Sequence, residues 1–170
     1  MMFNEAIKVI KSRRSVRKYI DKEIPEEILK EIIDCARLAP SGNNRQVWSF
    51  LVITDQEKRE RIASLARYGK FIKDAGACIG VFIDESQTST PLLDAAAATE
   101  NIMLAATALG LGTCWVSSYK RDHSEAVKEL VNCPPNLELV ALISVGYYEE
   151  STVARPAKKG LEEVLRWNTF

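Results

Sequence analysis

Five cations crowd residues 11 to 18, "KSRRSVRK", in a 170-residue chain whose 23 Lys and Arg are balanced by 23 Asp and Glu. Guanidinium groups meet phosphate oxygens through paired hydrogen bonds and a serine hydroxyl adds a donor, so Arg13, Arg14, Ser15 and Arg17 could hold a phosphate. The plainer reading is a solvated helix end whose cations complement the dipole. That effect contributes about 0.3 to 1 kcal/mol per charge and does not call for five of them. A second dense set of donors, Ser41, Asn43, Asn44, Arg45 and Gln46, sits in "PSGNNRQVW" between two apolar stretches, with an ordinary turn as the alternative. A third stretch, "RPAKKG", carries Arg155, Lys158 and Lys159 and by itself reads as a charged tail.

Other chemistries find less support. Cys35, Cys78, Cys114 and Cys133 form no CxxC pair and His123 is the single histidine, so neither a zinc site nor a disulfide framework has its usual spacing. Free buried thiols in a reducing compartment are the expectation. Cys114 as a nucleophile has no assignable base, and His123, beside Arg121 and Asp122 at a helix start, reads as surface or capping chemistry. The glycines of "GLG" at 110 to 112 end a helix and precede a strand, the reverse of a dinucleotide fingerprint. A regulatory or nucleic-acid-binding module using the basic patches would show strong salt-sensitive association, but zero net charge gives it no general attractive field.

The elements that must position these groups follow from periodicity. Phe3, Ala6, Ile7 and Ile10 predict an amphipathic helix over 3 to 12 that ends in the basic cluster. Pro25 with Glu26 and Glu27 starts a second helix whose buried face is Ile28, Leu29, Ile32, Ile33 and Ala36. "WSFLVITD" and "CIGVFID" predict strands flanking a charged helix from Gln56 to about Tyr68. Residues 91 to 109, opened by Pro91 and closed by Gly110, form a helix so rich in alanine that it wants cover on most sides, either as a central core helix or against a second subunit. "TCWVSSY" and "ELVALISVGYY" supply two more strands around a helix near 122 to 132. The tail from Ser151 turns into "LEEVLRWNTF", able to dock on something. Strands and helices do not alternate strictly, so one α+β domain over 1–170 with a central sheet is expected rather than a doubly wound fold. The N-terminal stretch shows no signal-peptide pattern and the most apolar segment would have to bury Glu100, so a cytoplasmic protein is expected.

In order along the chain, R-R-S-x-R after an N-terminal helix, P-S-x-x-N-x-Q-x-W-x-F, A-L-G-L-G-T-C-W-V, and a basic patch before L-E-E-V-L resemble the FMN-dependent nitroreductase family over essentially the whole chain. The resemblance implies an intertwined homodimer of α+β subunits with a mainly antiparallel sheet, the C-terminal tail packing on the partner. It implies FMN at the subunit interface, and transfer of reducing equivalents from NADH or NADPH to nitro compounds, quinones or similar small planar acceptors by a ping-pong route. Flavin fragmentation, dehalogenation and azoline oxidation also occur among relatives of that family. Carried over by position, Arg13, Arg14, Ser15 and Arg17 match its first flavin-binding segment. Ser41, Gly42 and Asn44 match the second, usually supplied by the partner. Val116, Ser117 and Ser118 match the segment against the isoalloxazine, with a backbone N–H near N5, and Arg155, Lys158 and Lys159 match the closing phosphate clamp. The flavin would carry the redox chemistry, leaving no catalytic side chain to assign and no metal. Val47, Gly42 and Ser117 depart from residues common in the family, proline, serine and glutamate respectively.

Overall fold

The structure, a computed structural model, describes residues 4–170; Phe3, expected in the first helix, lies outside them. Four strands, β1 (Trp48–Ile53), β2 (Ala77–Ile83), β3 (Gly112–Ser117) and β4 (Glu138–Gly146), form one sheet in the order β1-β2-β4-β3. Every neighbouring pair is antiparallel. Among the described residues the α-helices are α1 (Glu5–Ser12), α2 (Glu26–Arg37), α3 (Gln56–Leu65), α4 (Pro91–Ala108), α5 (Ser124–Leu130) and α6 (Leu161–Val164).

The alternation of strand side chains divides the interior into two layers. In β2, Ala77, Ile79, Val81 and Ile83 pack with Leu29, Ile32 and Ala36 of α2 and Ala95, Ile102 and Ala106 of α4. The intervening Cys78 and Phe82 pack on the other face with Ile62 and Ala63 of α3 and Val127 of α5. A bulge between Val81 and Phe82 shifts the β4 register, and the Val140 carbonyl there accepts from both Ser118 and Tyr119 N–H, at 3.0 and 3.1 Å. This ends β3 at Ser117, so Ser118 and Tyr119, expected within the strand, turn away from it.

Helix α1 is capped by the Asn4 side chain, which accepts from the Ala6 N–H at 2.9 Å, and none of its residues is buried. Its apolar face is therefore uncovered in the single chain: Ile7 and Ile10 are exposed, as are Leu92 and Leu93 on α4. The other side of α4 is central core, with Ala95, Ala98, Ile102 and Ala106 fully buried. Gly110, at φ 77°, terminates α4 in the left-handed conformation that glycine adopts without strain. Helix α3 stops at Leu65, three residues before the expected end, because Ala66 takes extended dihedrals and Gly69 opens a 3-10 turn over Lys70–Asp74. The four cysteines are free; Cys78 and Cys114 are buried, whereas Cys35 and Cys133 are half-buried, less than expected.

Candidate functional site

The basic cluster leaves α1 in an extended run that lies beside the first residue pair of β3. The Val16 N–H donates to the Thr113 carbonyl at 2.8 Å and Ser15 forms a parallel bridge with Thr113. Two glycines permit the approach: a Cβ on Gly112 would stand 2.6 Å from Val16 Cγ2, and one on Gly146 would stand 2.7 Å from the Tyr19 ring. The Tyr19 hydroxyl then locks the run, donating to the Val16 carbonyl at 2.7 Å and lying 2.6 Å from Ser144 Oγ. Burial pushes that phenol well above its ordinary value, so it stays protonated.

With Val16 buried at 3 % exposure, the two-residue period sends Arg13, Ser15 and Arg17 to the opposite side. All three bear on Cys114. Burial raises that thiol above its ordinary value, while Arg17, the nearby Ser15 hydroxyl, and Arg13 pull it back. At 2 % exposure, with no base beside it among these groups, Cys114 is a structural thiol. Arg13 also reaches Glu100 of α4 at 3.6 Å. Arg14 goes elsewhere: its guanidinium caps the α1 end by donating to the Lys11 and Arg13 carbonyls at 2.8 and 2.7 Å. Of the four residues, it alone follows the plain helix-end reading.

Arg17 enters a cavity of about 740 Å³ walled by Cys114 to Ser117, by Leu65, Tyr68 and Phe71, and by the turn from Lys120 to His123. Its guanidinium lies over the Phe71 ring, 5.8 Å from the centroid. β3 is a sheet edge, and the outward Thr113 carbonyl fixes which of its backbone groups face away from β4. By the antiparallel alternation these are those of residues 113, 115 and 117, whereas 114, 116 and 118 face β4. Val16 takes the first, which leaves the Trp115 and Ser117 N–H groups turned to the cavity side.

Ser118 does not fit the role expected of it. It is fully buried, its N–H is bonded to Val140, and its hydroxyl lies 3.2 Å from the Val116 carbonyl and 3.0 Å from His123 Nε2. His123 is likewise not surface or capping chemistry. It occupies the position before α5 but its side chain makes no cap bond; it is half-buried on the cavity wall. Burial holds its pKa below the ordinary value, Asp122 opposing and Arg121 reinforcing the shift. The preceding turn is fixed by Ser124, whose hydroxyl accepts from the Arg121 N–H and donates to the Ser118 carbonyl. Nothing in a lone sequence signals that Ser118 and His123 meet.

The remaining expected residues lie apart. Ser41, Gly42 and Asn44 belong to a loop at the β1 edge, and β1 and β3 are opposite edges of the sheet. Three inter-strand spacings put those edges about 14 Å apart. The loop is tied to the start of α4: the Gly42 N–H donates to buried Asp94 at 3.0 Å, and Asp94 also accepts from Thr88 and Thr90 hydroxyls. A Cβ on Gly42 would stand 2.8 Å from Thr90 Oγ1, which accounts for glycine at this position. Asn43, Asn44 and Gln46 have φ of 52°, 56° and 51°, and the Gln46 N–H donates to Ser41 Oγ at 3.0 Å. Arg155, Lys158 and Lys159 lie in the exposed tail, where Arg155 pairs locally with Glu150.

The sequence profile of the Nitroreductase family matches residues 10–77 and 64–147, and the chain belongs to that family. It is 37% identical over 148 residues to a protein of Archaeoglobus fulgidus provisionally named NADH dehydrogenase/NAD(P)H nitroreductase, covering 84% of this chain and 85% of the other. Among solved structures it resembles an FMN-dependent nitroreductase of Clostridium difficile, with a TM-score of 0.89 and 31% identity over 96% of this chain and 99% of that one. A Bacteroides thetaiotaomicron protein, with the same provisional name as the archaeal one, gives a TM-score of 0.92 and 31% identity over 99% of this chain and 100% of that one. The α+β fold with its antiparallel sheet is thus the nitroreductase fold.

Proposed function

We propose that this protein is a homodimeric FMN-dependent oxidoreductase. It draws reducing equivalents from NADH or NADPH and passes them, in a separate half-reaction, to nitroaromatic, quinone or similar planar acceptors. The observation that carries the reading is that Arg17 and the outward N–H groups of the β3 edge share one cavity, with Arg13 and Ser15 nearby around its wall residue Cys114. This donor set suits FMN: guanidinium groups for an anionic head or a ring edge that gains negative charge, and a fixed N–H for a ring nitrogen. Bound there, FMN supplies the two-electron chemistry that no side chain of the cavity supplies.

The chain's own residues then bind and orient. Arg17, held against Phe71, places positive charge at the cavity wall. The Ser117 N–H, fixed by the strand, is the donor for the ring, and Val116 backs the wall with its side chain in the core. Tyr68, 79 % exposed at the rim, leaves room for a planar acceptor to enter.

Ser41, Gly42 and Asn44 come to this cavity from a second copy, since their own chain holds them at the opposite sheet edge. Exposed Ile7, Ile10, Leu92, Leu93 and Leu109 offer the apolar surface that a partner covers. The tail, whose Leu161, Val164, Trp167 and Phe170 are also exposed, packs on that partner. A groove of about 870 Å³ beside α2 and the β1 edge, with Ile24, Leu29, Ile33 and Val52 within an otherwise mostly charged lining, is a candidate to receive it. The tail brings Arg155, Lys158 and Lys159 with it. Among the described residues no helix is long and apolar enough to cross a membrane, and a cytoplasmic location fits the four free thiols.

The test is a visible spectrum of the purified protein and a titration with FMN, followed by steady-state assays with NADH and NADPH against a nitroaromatic, a quinone and oxygen. Flavin absorbance, quenched flavin fluorescence and turnover with organic acceptors are expected. A colourless protein that leaves added FMN fluorescence unchanged overturns the reading.

A further inference from the structure

The flavin reading leaves two cations of the cavity at the β3 edge, Arg67 and Arg121, without a role. Arg17, Arg67, Lys120 and Arg121 line it against one carboxylate, Asp122. Lys120 is diverted to Glu85 at 3.6 Å and lies over the Tyr119 ring. Arg17 belongs to the flavin wall described above. Arg67 and Arg121 pair with no carboxylate among the described residues, as is true of most cations of this chain; what sets them apart is that they line the same cavity. Both are held from behind. The backbone N–H of Arg121 donates to both the Ser118 carbonyl and Ser124 Oγ, at 3.2 and 3.1 Å, so the side chain projects from a rigid base. Arg67 lies 5.5 Å over the ring of Tyr68, the most exposed aromatic of the rim.

We propose that Arg67 and Arg121 read the 2′-phosphate of the reductant, making this enzyme selective for NADPH over NADH. The inference rests on the flavoenzyme reading of the same cavity. A nicotinamide that reaches the ring near Ser117 trails its adenosine half out over the rim. There Tyr68 offers a face for adenine and the two guanidinium groups stand beside it. NADPH differs from NADH in that half by one phosphate, a dianion near neutral pH that accepts paired hydrogen bonds from a guanidinium. Selectivity of roughly 10- to 100-fold is expected, the equivalent of one or two charge-assisted hydrogen bonds. The pyrophosphate, common to both coenzymes, is the competing target for these arginines.

The experiment compares kcat/KM for NADPH and NADH in the FMN-loaded wild type and in an Arg67→Ala/Arg121→Ala double variant. Direct titrations with adenosine 2′,5′-bisphosphate and with AMP run beside it. The proposal expects the wild type to favour NADPH and to bind the bisphosphate at least tenfold more tightly than AMP. It expects the double variant to lose both preferences while its NADH kinetics and FMN affinity stay within about threefold, as for surface substitutions. Equal use of the two coenzymes by the wild type, a preference that survives in the variant, or an equal loss for NADH and NADPH overturns it. The last result assigns the arginines to the pyrophosphate. Failure of FMN to bind would instead remove the flavoenzyme reading itself, and the FMN titration separates the two outcomes.

Discussion

Replacing Gly112 with alanine tests whether the packing of residues 13–17 on β3 sets the cofactor site. The added Cβ would stand 2.6 and 2.8 Å from Val16 Cγ2 and Cβ and 2.8 Å from Tyr148 Cδ1. Carbon atoms in contact prefer about 3.5 to 4.0 Å, so the 13–17 run must move out by roughly 1 Å. Overpacking of this kind costs about 1 to 3 kcal/mol. The same displacement stretches the 2.8 Å bond from the Val16 N–H to the Thr113 carbonyl beyond hydrogen-bond range, a loss of about 1 kcal/mol within that total. Arg17 is one residue away on the same rigid run, and losing its charge-assisted bond weakens FMN binding roughly 10- to 100-fold. Ile79→Val, a core substitution in β2 worth about 1 kcal/mol, serves as the stability-matched control. Urea unfolding gives the stability change and fluorescence quenching gives FMN affinity. The reasoning is refuted if Gly112→Ala binds FMN as tightly as Ile79→Val does.

Three further outcomes are expected. Arg17→Ala weakens FMN binding roughly 10- to 100-fold, whereas Arg14→Ala, which removes only a helix-end contact, changes it less than threefold; fluorescence titration of both decides. Gly42→Ala forces Thr90 to rotate off Asp94, leaving that buried carboxylate one partner short, and lowers stability by about 1 to 3 kcal/mol in urea. His123 has a folded pKa below its unfolded value, so its contribution to stability is complete above the ordinary histidine range, near pH 6.5, and is lost as pH falls through the lower folded value. Thermal unfolding between pH 8 and 5 should therefore show a decline that His123→Gln lacks.

The elements were legible where one local signal governed them. Pro91 and Gly110 bracket α4, and the apolar run of β2 marks it as a strand, which the structure buries on both faces. The site residues are legible in their types and in the order of motifs along the chain; that an extended backbone throws Arg13, Ser15 and Arg17 to one side depends on the run lying beside β3. The departures come from contacts between distant segments. Ser118 reads as a continuation of the strand, but the Val140 carbonyl, 22 residues later, accepts two N–H groups and ends the strand before it. Arg14 is indistinguishable from its neighbours as a residue type, and only the termination of α1 at Ser12 decides that it caps the helix. The role of Gly42 depends on Thr90 and Asp94, brought beside it by the fold.

The account depends on one site assembled from two chains, Arg17 and the β3 edge from one and the Ser41–Asn44 loop from the other. Subunit mixing tests it most directly, using an Arg17→Ala chain and a Gly42→Leu chain, each deficient in FMN binding alone. Refolding the two together should restore one flavin-binding site in each mixed dimer, seen as recovered fluorescence quenching and absorbance that neither parent shows. A mixture that binds no more FMN than its parents, although mixed dimers have formed, contradicts the shared site.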